Sequence, residues 1–275
     1  MQNTVSNIKS LEKKSVIYRR RILQCIKNAN NGHTAGSLSC VDILNVLYNR
    51  IMNVSPENFS NPNRDRYIQS KGHSVEALYT VLSDVGFFPE SELNTFSKYQ
   101  SHFVGHPTRK VPGIEHNTGA LGHGLSVSVG LALAAKLDKA SYKVYTLLGD
   151  GELAEGSNWE AMMSAGHYGL DNMLAIIDYN KLQITGTVDS VLRVEPLRDK
   201  IEAFGWEVQE ADGHNLAEME QVFSSIPFKA GKPNMVIAHT VKGKGISFME
   251  NNHVWHHKVP SDSEYSVALN ELSIE

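Results

Sequence analysis

The stretch from Val144 to Gly186 decides the fold and reads VYTLLGDGELAEGSNWEAMMSAGHYGLDNMLAIIDYNKLQITG. It begins with an apolar run, Val144–Leu148, which is typical of a buried strand in a parallel sheet. A helical pattern follows over Glu155–Tyr168, and a second apolar run covers Met173–Ile177. The stretch therefore predicts a βαβ unit around which the rest of the chain is organised.

Polar groups follow both predicted strands at the point where each strand ends. Asp150 comes after the first strand, between Gly149 and Gly151, and Asn180 comes after the second. Open α/β sheets bind ligands at this edge, and Mg²⁺ prefers oxygen ligands shared with phosphate groups. The flanking glycines let the backbone approach a ligand closely. An Asp and an Asn in ordinary strand-end turns are the alternative, but two strand ends separated by one helix favour a metal site.

The motif GDG, with Asn180 thirty positions after Asp150, resembles the diphosphate-and-metal motif of thiamine-diphosphate enzymes. The sequence GDGELAEGSNWEAMMSAGHYGLDN…DYNKLQITG is similar to the corresponding segment of transketolases in particular. The resemblance implies that Asp150, Asn180 and a main-chain carbonyl near Leu182 hold Mg²⁺, or alternatively Ca²⁺ or Mn²⁺, against the cofactor's diphosphate. It also implies that amides around Gly151 bind the diphosphate. Glu155 matches a carboxylate near the subunit interface, although a glutamate favoured by a helix dipole is an equal alternative.

Three histidine loops precede this unit and match transketolase segments. NGHTAGSLS contains His33, DRYIQSKGHS contains His73, and a GHP sequence contains His106. The resemblance implies that all three face the substrate and that His73 also contacts the cofactor. The turn TGALGHG resembles TGxLGxG, whose main chain, here Gly119 and Leu121, touches the aminopyrimidine region. Without the resemblance, a lone histidine in a turn is ordinarily a solvent-exposed residue.

The tail carries three histidines within five residues, His253, His256 and His257. Such spacing can indicate a zinc site, but no cysteine and no clear helical pattern accompany it. Transketolases carry a late histidine directed at the substrate, so the resemblance makes His253 and His256 both candidates for that role.

The remaining chain alternates helices and strands, which predicts a doubly wound, mostly parallel α/β sheet with helices on both faces. The resemblance identifies this fold as the diphosphate-binding (PP-type) domain of thiamine-diphosphate enzymes, covering residues 1–275 as a single domain. We expect Ser39 to cap a helix reaching Met52, Asn215 to cap another, and Thr187–Val191 to form a loop. The helix Gly122–Leu137 is rich in small residues, which indicates close packing in the core or at a subunit contact.

Composition excludes several function classes. Hydrophobic residues make up 41% and charged residues 20% of the chain, as in ordinary globular proteins. The formal net charge of -4 gives no electrostatic case for nucleic acid. The longest mostly apolar stretch, Leu125–Ala135, is too short for a membrane span, and the N-terminus does not resemble a signal peptide. The only cysteines, Cys25 and Cys40, lack metal or redox spacing. We therefore expect buried free thiols and a cytoplasmic protein.

The length of 275 residues suits only part of a transketolase. The resemblance implies that the pyrimidine-binding and C-terminal domains lie on a partner chain, in an α₂β₂ assembly. We therefore expect an N-terminal subunit of a split transketolase that transfers a two-carbon ketol unit from a ketose to an aldose only with its partner. The sugars could be pentose phosphates, a branched sugar phosphate or a sulfosugar.

Other interpretations remain open at this point. The α subunit of a 2-oxo acid dehydrogenase E1 is also split and carries a GDG motif, although the histidine loops favour transketolase. Deoxyxylulose-phosphate synthase is a further enzymatic relative, normally one long chain. A non-catalytic binding or regulatory protein with the same fold is the alternative from a different class.

Overall fold

The computed structural model describes residues 2–273, with side chains described from residue 8 onward. A five-stranded sheet lies at the centre, with strand order β1-β2-β3-β5-β4 and every pair parallel. The strands are β1 (Arg66–Gln69), β2 (Val144–Gly149), β3 (Met173–Tyr179), β4 (Glu207–Asp212) and β5 (Asn234–His239). The helices are α1 (Gln2–Ala29), α2 (Thr34–Val46), α3 (Val75–Asp84), α4 (Gly124–Leu137), α5 (Gly156–His167), α6 (Val188–Val191), α7 (Leu197–Ala203), α8 (Leu216–Ser224) and α9 (Asp262–Glu271).

Helices cover both faces of the sheet because the central strands are apolar on both sides. All six residues of β2 are buried, and their side chains alternate between two hydrophobic clusters. Tyr145 and Leu147 pack in the cluster that contains α1, α2, α3 and α8. Val144 and Leu148 pack in the cluster that contains α4, α5 and α7. The architecture is the doubly wound parallel sheet that the alternation of elements predicts.

The carboxyl ends of the three central strands are level with one another. Gly149 at the end of β2 pairs with Asp178 of β3, and Asp178 in turn pairs with Ala238 of β5. The loops that follow these strands therefore start side by side at one edge of the sheet, where the predicted metal ligands lie.

The prediction that Ser39 caps α2 is wrong, because the helix already begins at Thr34. A carboxylate from α3 anchors this helix start from outside the segment. Buried Glu76 accepts hydrogen bonds from the His33 amide (2.8 Å) and the Ser37 hydroxyl (2.7 Å). Burial raises the pKa of Glu76 to about 6. Local sequence could not show this contact, because its two sides lie 43 residues apart.

Other local predictions had mixed outcomes. Asn215 caps α8 by accepting the Glu218 amide, as predicted. The predicted loop Thr187–Val191 instead contains the short helix α6, which Thr187 caps. Both cysteines are free and buried, as expected. Within residues 2–273, no helix combines the length and apolar character needed to cross a bilayer.

Helix α5 packs unusually close to the loop after α7. A Cβ placed on Gly166 would lie 1.8 Å from the carbonyl oxygen of Phe204, so only glycine fits there. On α4, a Cβ placed on Gly130 would meet nothing within 4 Å. The small residues of α4 and α5 thus differ in role, because one glycine is required by packing and the other is not.

Candidate functional site

A cavity of about 250 Å³ opens at the carboxyl ends of β2 and β3. Its walls come from the loops after β1, β2 and β3, the start of α2, and the segment after β5. The predicted site residues that line it are His33, His73, Gly119, Leu121, Asp150, Gly151, Asn180, Leu182 and His256. Residues from six distant stretches of the sequence therefore meet in one place.

The oxygen ligands expected for a divalent cation lie on two adjacent loops. Asp150 is almost fully buried, and its carboxylate accepts hydrogen bonds from the amides of Gly151 (2.7 Å) and Lys181. The Asn180 side-chain oxygen accepts the Leu182 amide at 3.1 Å, and Leu182 lines the same cavity wall. One carboxylate, one amide and one carbonyl oxygen form a set that suits Mg²⁺.

Burial, and next the charge of Asp178, raise the pKa of Asp150 to about 7. A bound cation would favour the ionised carboxylate. Among the described residues, no group of three or more His, Cys, Asp or Glu side chains is arranged to hold a metal ion. The tail histidines therefore form no such group. The oxygen set therefore needs additional ligands from water or from a phosphate-bearing molecule.

Four histidine rings surround the His33 ring. The centroid of His33 lies 5.2 Å from that of His73, 5.9 Å from His106, 5.4 Å from His256 and 4.5 Å from His257. Burial lowers the pKa of His33 and of His256 to about 3, and that of His73 well below its usual value. At neutral pH the imidazoles of His33, His73 and His256 are therefore uncharged, so each can donate one hydrogen bond and accept another.

Two buried lysines, which neither the motifs nor the resemblance assigns to the site, line the cavity. Lys71 pairs with the buried carboxylate of Asp178 and donates to the Gly36 carbonyl at 3.0 Å. Lys242 donates to the Leu182 carbonyl (3.0 Å) and lies 3.1 Å from His256 Nδ1. Burial, and then the charge of Lys71, lower the pKa of Lys242 to about 8. Lys71 directly precedes the GHS of the matched segment, which was the available signal.

A buried glutamate, which the motifs and the resemblance also leave unassigned, joins the loops of the site. Glu152 accepts hydrogen bonds from the Ser70 hydroxyl and from the amides of Gly122 (2.9 Å) and Gly149 (3.0 Å). One carboxylate thus joins the end of β1, the end of β2 and the TGALGHG turn. This contact holds the turn beside the Gly149-Asp150-Gly151 loop.

Three predicted residues lie outside the cavity lining. His106 sits behind Gly119, where an added Cβ would lie 2.6 Å from its ring, and Gly119 has a φ of +138°. Glycine is therefore required at this close approach. His253 and Glu155 are both exposed. Glu155 flanks the TGALGHG turn, since a Cβ added to Gly122 would lie 2.6 Å from the Cβ of Glu155.

The donors and acceptors of the cavity fit an anionic ligand bound together with a cation. The acidic groups are held by backbone amides, Lys242 has neutral hydrogen-bond partners, and two further polar atoms lie on the wall. Those atoms, His33 Nδ1 and Gln183 Nε2, are buried and have no hydrogen-bond partner in the part of the chain that the structure describes. Buried polar atoms without partners are rare in native proteins. A polar ligand would satisfy them.

Comparison with known families decides what this ligand is. A family model described as the thiamine diphosphate binding domain of transketolase matches residues 12–271. The chain belongs to the transketolase family. Its family therefore identifies thiamine diphosphate as the cofactor of this domain.

Several curated transketolase subunits match the chain from end to end. It is 48% identical over 266 residues to a subunit of the apulose-4-phosphate transketolase of Phocaeicola vulgatus, covering 97% of this chain and 95% of that protein. The subunit of the same name from Actinobacillus succinogenes is 49% identical over 269 residues, with 96% of each chain covered. A 6-deoxy-6-sulfo-D-fructose transketolase subunit of Clostridium sp. is 40% identical over 266 residues, covering 96% of this chain and 97% of that protein.

Solved transketolases share the fold. The Campylobacter jejuni enzyme superposes with a TM-score of 0.87 at 31% identity, covering 96% of this chain and 43% of its own. A Pichia stipitis transketolase variant gives 0.89 at 26% identity, covering 96% of this chain and 41% of its own. The chain thus spans less than half the length of these solved transketolases.

These findings confirm two predictions, the thiamine-diphosphate-binding α/β fold and the transketolase-type subunit. The chain is a transketolase subunit of the type that carries the N-terminal, cofactor-binding domain. The comparisons favour this conclusion over a 2-oxo acid dehydrogenase α subunit.

Proposed function

We propose that this chain is the diphosphate-binding half of a two-chain transketolase that moves a two-carbon ketol unit from an anionic ketose to an aldose. The observation that carries the proposal is the shared cavity. One space of about 250 Å³ is lined both by the oxygen ligands for a metal diphosphate and by three uncharged histidines, His33, His73 and His256. The first set suits a cofactor, and the second suits a polyhydroxylated substrate.

The metal and the diphosphate are assigned to one wall of the cavity. Asp150, Asn180 and the Leu182 carbonyl hold Mg²⁺, or Ca²⁺ or Mn²⁺ in its place. Lys242 and the amide of Gly151 bind the diphosphate. In the structure the Gly151 amide donates to Asp150, so a diphosphate bound by this amide would compete with that hydrogen bond.

The other wall is assigned to the ring of the cofactor and to the sugar. The bound cofactor supplies the electron sink for carbon–carbon bond cleavage. The main chain of Gly119 and Leu121 contacts the aminopyrimidine. His33, His73, His106 and His256 bind ketose hydroxyls and move protons, for which uncharged imidazoles are suited because each offers a donor and an acceptor. His253 is exposed, so a contact with the substrate is assigned to it less strongly than to His256.

The partner completes the site in this proposal. Residues 1–275 form one PP-type domain, and a second chain contributes the pyrimidine-binding and C-terminal domains in an α₂β₂ assembly. The names of the relatives, each a subunit, support a divided enzyme. Glu155, exposed beside the TGALGHG turn, is assigned to the contact between subunits. The buried free cysteines support a cytoplasmic location.

Calorimetric titration with thiamine diphosphate tests the proposal, using the chain together with the partner that co-purifies with it. We expect binding that requires Mg²⁺ and ketol transfer only when both chains are present, with apulose 4-phosphate as the first sugar to assay. Robust turnover by the purified chain alone would refute the divided site. Absence of binding by the assembled complex would favour the non-catalytic alternative.

A further inference from the structure

Gln183 follows the metal-binding loop and lies over the glycine of the GDG motif. A Cβ added to Gly151 would lie 2.8 Å from Cγ of Gln183 and 3.6 Å from its Nε2. The backbone amide of Gln183 donates to the Gly186 carbonyl at 2.8 Å, while Leu182 and Thr187 form an antiparallel bridge. A short hairpin therefore holds this side chain against the cavity.

The side-chain nitrogen of Gln183 has no acceptor. Nε2 is buried, and within residues 2–273 it has no hydrogen-bond partner. A buried donor without an acceptor carries a desolvation cost that native proteins rarely leave uncompensated. The position of the atom beside Gly151 indicates that its acceptor belongs to a ligand.

The neighbouring groups show what kind of acceptor is required. Both oxygens of Asp150 already accept backbone amides, and so do those of Glu152. Lys71 is already paired with the carboxylate of Asp178. The ammonium of Lys242 has neutral hydrogen-bond partners, so its charge favours a negatively charged ligand. An oxygen of a phosphate group meets both requirements.

We propose that the Gln183 side-chain amide donates a hydrogen bond to the diphosphate of the cofactor, beside the Gly151 loop. This inference rests on the proposed function, because it requires thiamine diphosphate in the same cavity. Gln183 would be a binding residue in addition to those that the motif implies. The hairpin would then serve to place its amide as well as the Leu182 carbonyl.

The test replaces the donor while keeping the volume of the side chain. Gln183→Met is compared with Gln221→Met, a matched change at an exposed position on α8. Each variant, assembled with the partner, is titrated calorimetrically with thiamine diphosphate and with inorganic diphosphate, both with Mg²⁺. Thermal unfolding without ligand reports whether the variant folds, and Gln183→Ala repeats the test with a smaller side chain.

We expect Gln183→Met to weaken both ligands by a similar factor, about tenfold to a hundredfold, as for a hydrogen bond to a charged group. Gln221→Met should bind both as the wild type does. Unchanged affinity, or a loss confined to thiamine diphosphate, would overturn the inference, because then Gln183 does not contact the diphosphate. If the wild-type complex binds neither ligand, the proposed function itself fails.

Discussion

Replacing Lys71 by Met should lower the free energy of unfolding of the chain, because it leaves the buried carboxylate of Asp178 without a cationic partner. The Lys71 ammonium and the Asp178 carboxylate are 4% and 0% exposed, and they pair directly. Asp178 also accepts the Ser39 hydroxyl at 2.6 Å and the Thr240 hydroxyl. Although burial works to raise the pKa of Asp178, the ammonium of Lys71 holds it below its usual value.

The magnitude follows from the burial of the pair. Removing one partner of a buried ion pair costs about 3–5 kcal/mol, because the remaining charge stays desolvated. For a chain of this size the loss corresponds to a fall in melting temperature of about 6–20 °C. A half-exposed pair of the same chemistry, Lys232 with Glu207, offers the control. Lys232→Met should cost less than about 1 kcal/mol, since water screens that pair.

Urea unfolding of the purified chain, followed by circular dichroism, measures the free energy of unfolding of each variant. We expect the double variant Lys71→Met with Asp178→Asn to recover most of the stability lost in Lys71→Met, because no unpaired charge then remains. If Lys71→Met costs no more than Lys232→Met, the pair does not stabilise the strand ends and the reasoning is refuted.

Three further predictions concern the metal site, a buried acid and a packing contact. Asp150→Ala should abolish Mg²⁺-dependent binding of thiamine diphosphate, while Asn180→Ala should weaken it less because it removes a neutral ligand; an equal or larger loss for Asn180→Ala in calorimetry would reverse this ranking. The pKa of Glu76 rises from 4.5 to about 6 on folding, so the folded state binds its proton more tightly. The free energy of unfolding should therefore fall by about 2 kcal/mol in total as pH rises from well below 4.5 to well above 6, and urea titrations of Glu76→Gln should lack this component. Gly166→Ala should destabilise the chain by about 3 kcal/mol or more through overlap with backbone, whereas Gly130→Ala should stabilise it by about 0.8–1 kcal/mol through helix propensity, and similar values for both would contradict the packing argument.

The strands of the central unit could be predicted because their residues are apolar on both sides. Val144–Gly149 and Met173–Tyr179 agree with the predicted runs to within two residues. Helix starts were less predictable. Ser39 has the chemistry of a cap, yet it lies within α2, and its hydroxyl donates to Asp178 of β3. The carboxylate of Glu76 anchors the start of the helix instead.

The histidine loops show both the reach and the limit of sequence reasoning about the site. His33 and His73 could be assigned because each stands in a matched motif, and both line the cavity. The tail motif left His253 and His256 as equal candidates. The structure separates them, because His256 lines the cavity and contacts Lys242 whereas His253 is exposed.

The parallel sheet, the polar strand ends and the family follow from local patterns: apolar runs, glycine-flanked acids and motif spacing act over short distances along the chain. The balance of charges in the site does not follow from local patterns of this kind. Lys71, Lys242 and Asp178 are ordinary residues in the sequence, and only the packing of three strand ends removes them from water together. The same packing leaves Gln183 with a buried, unpaired donor. Desolvation depends on which segments meet in space, so it becomes visible only in the tertiary structure.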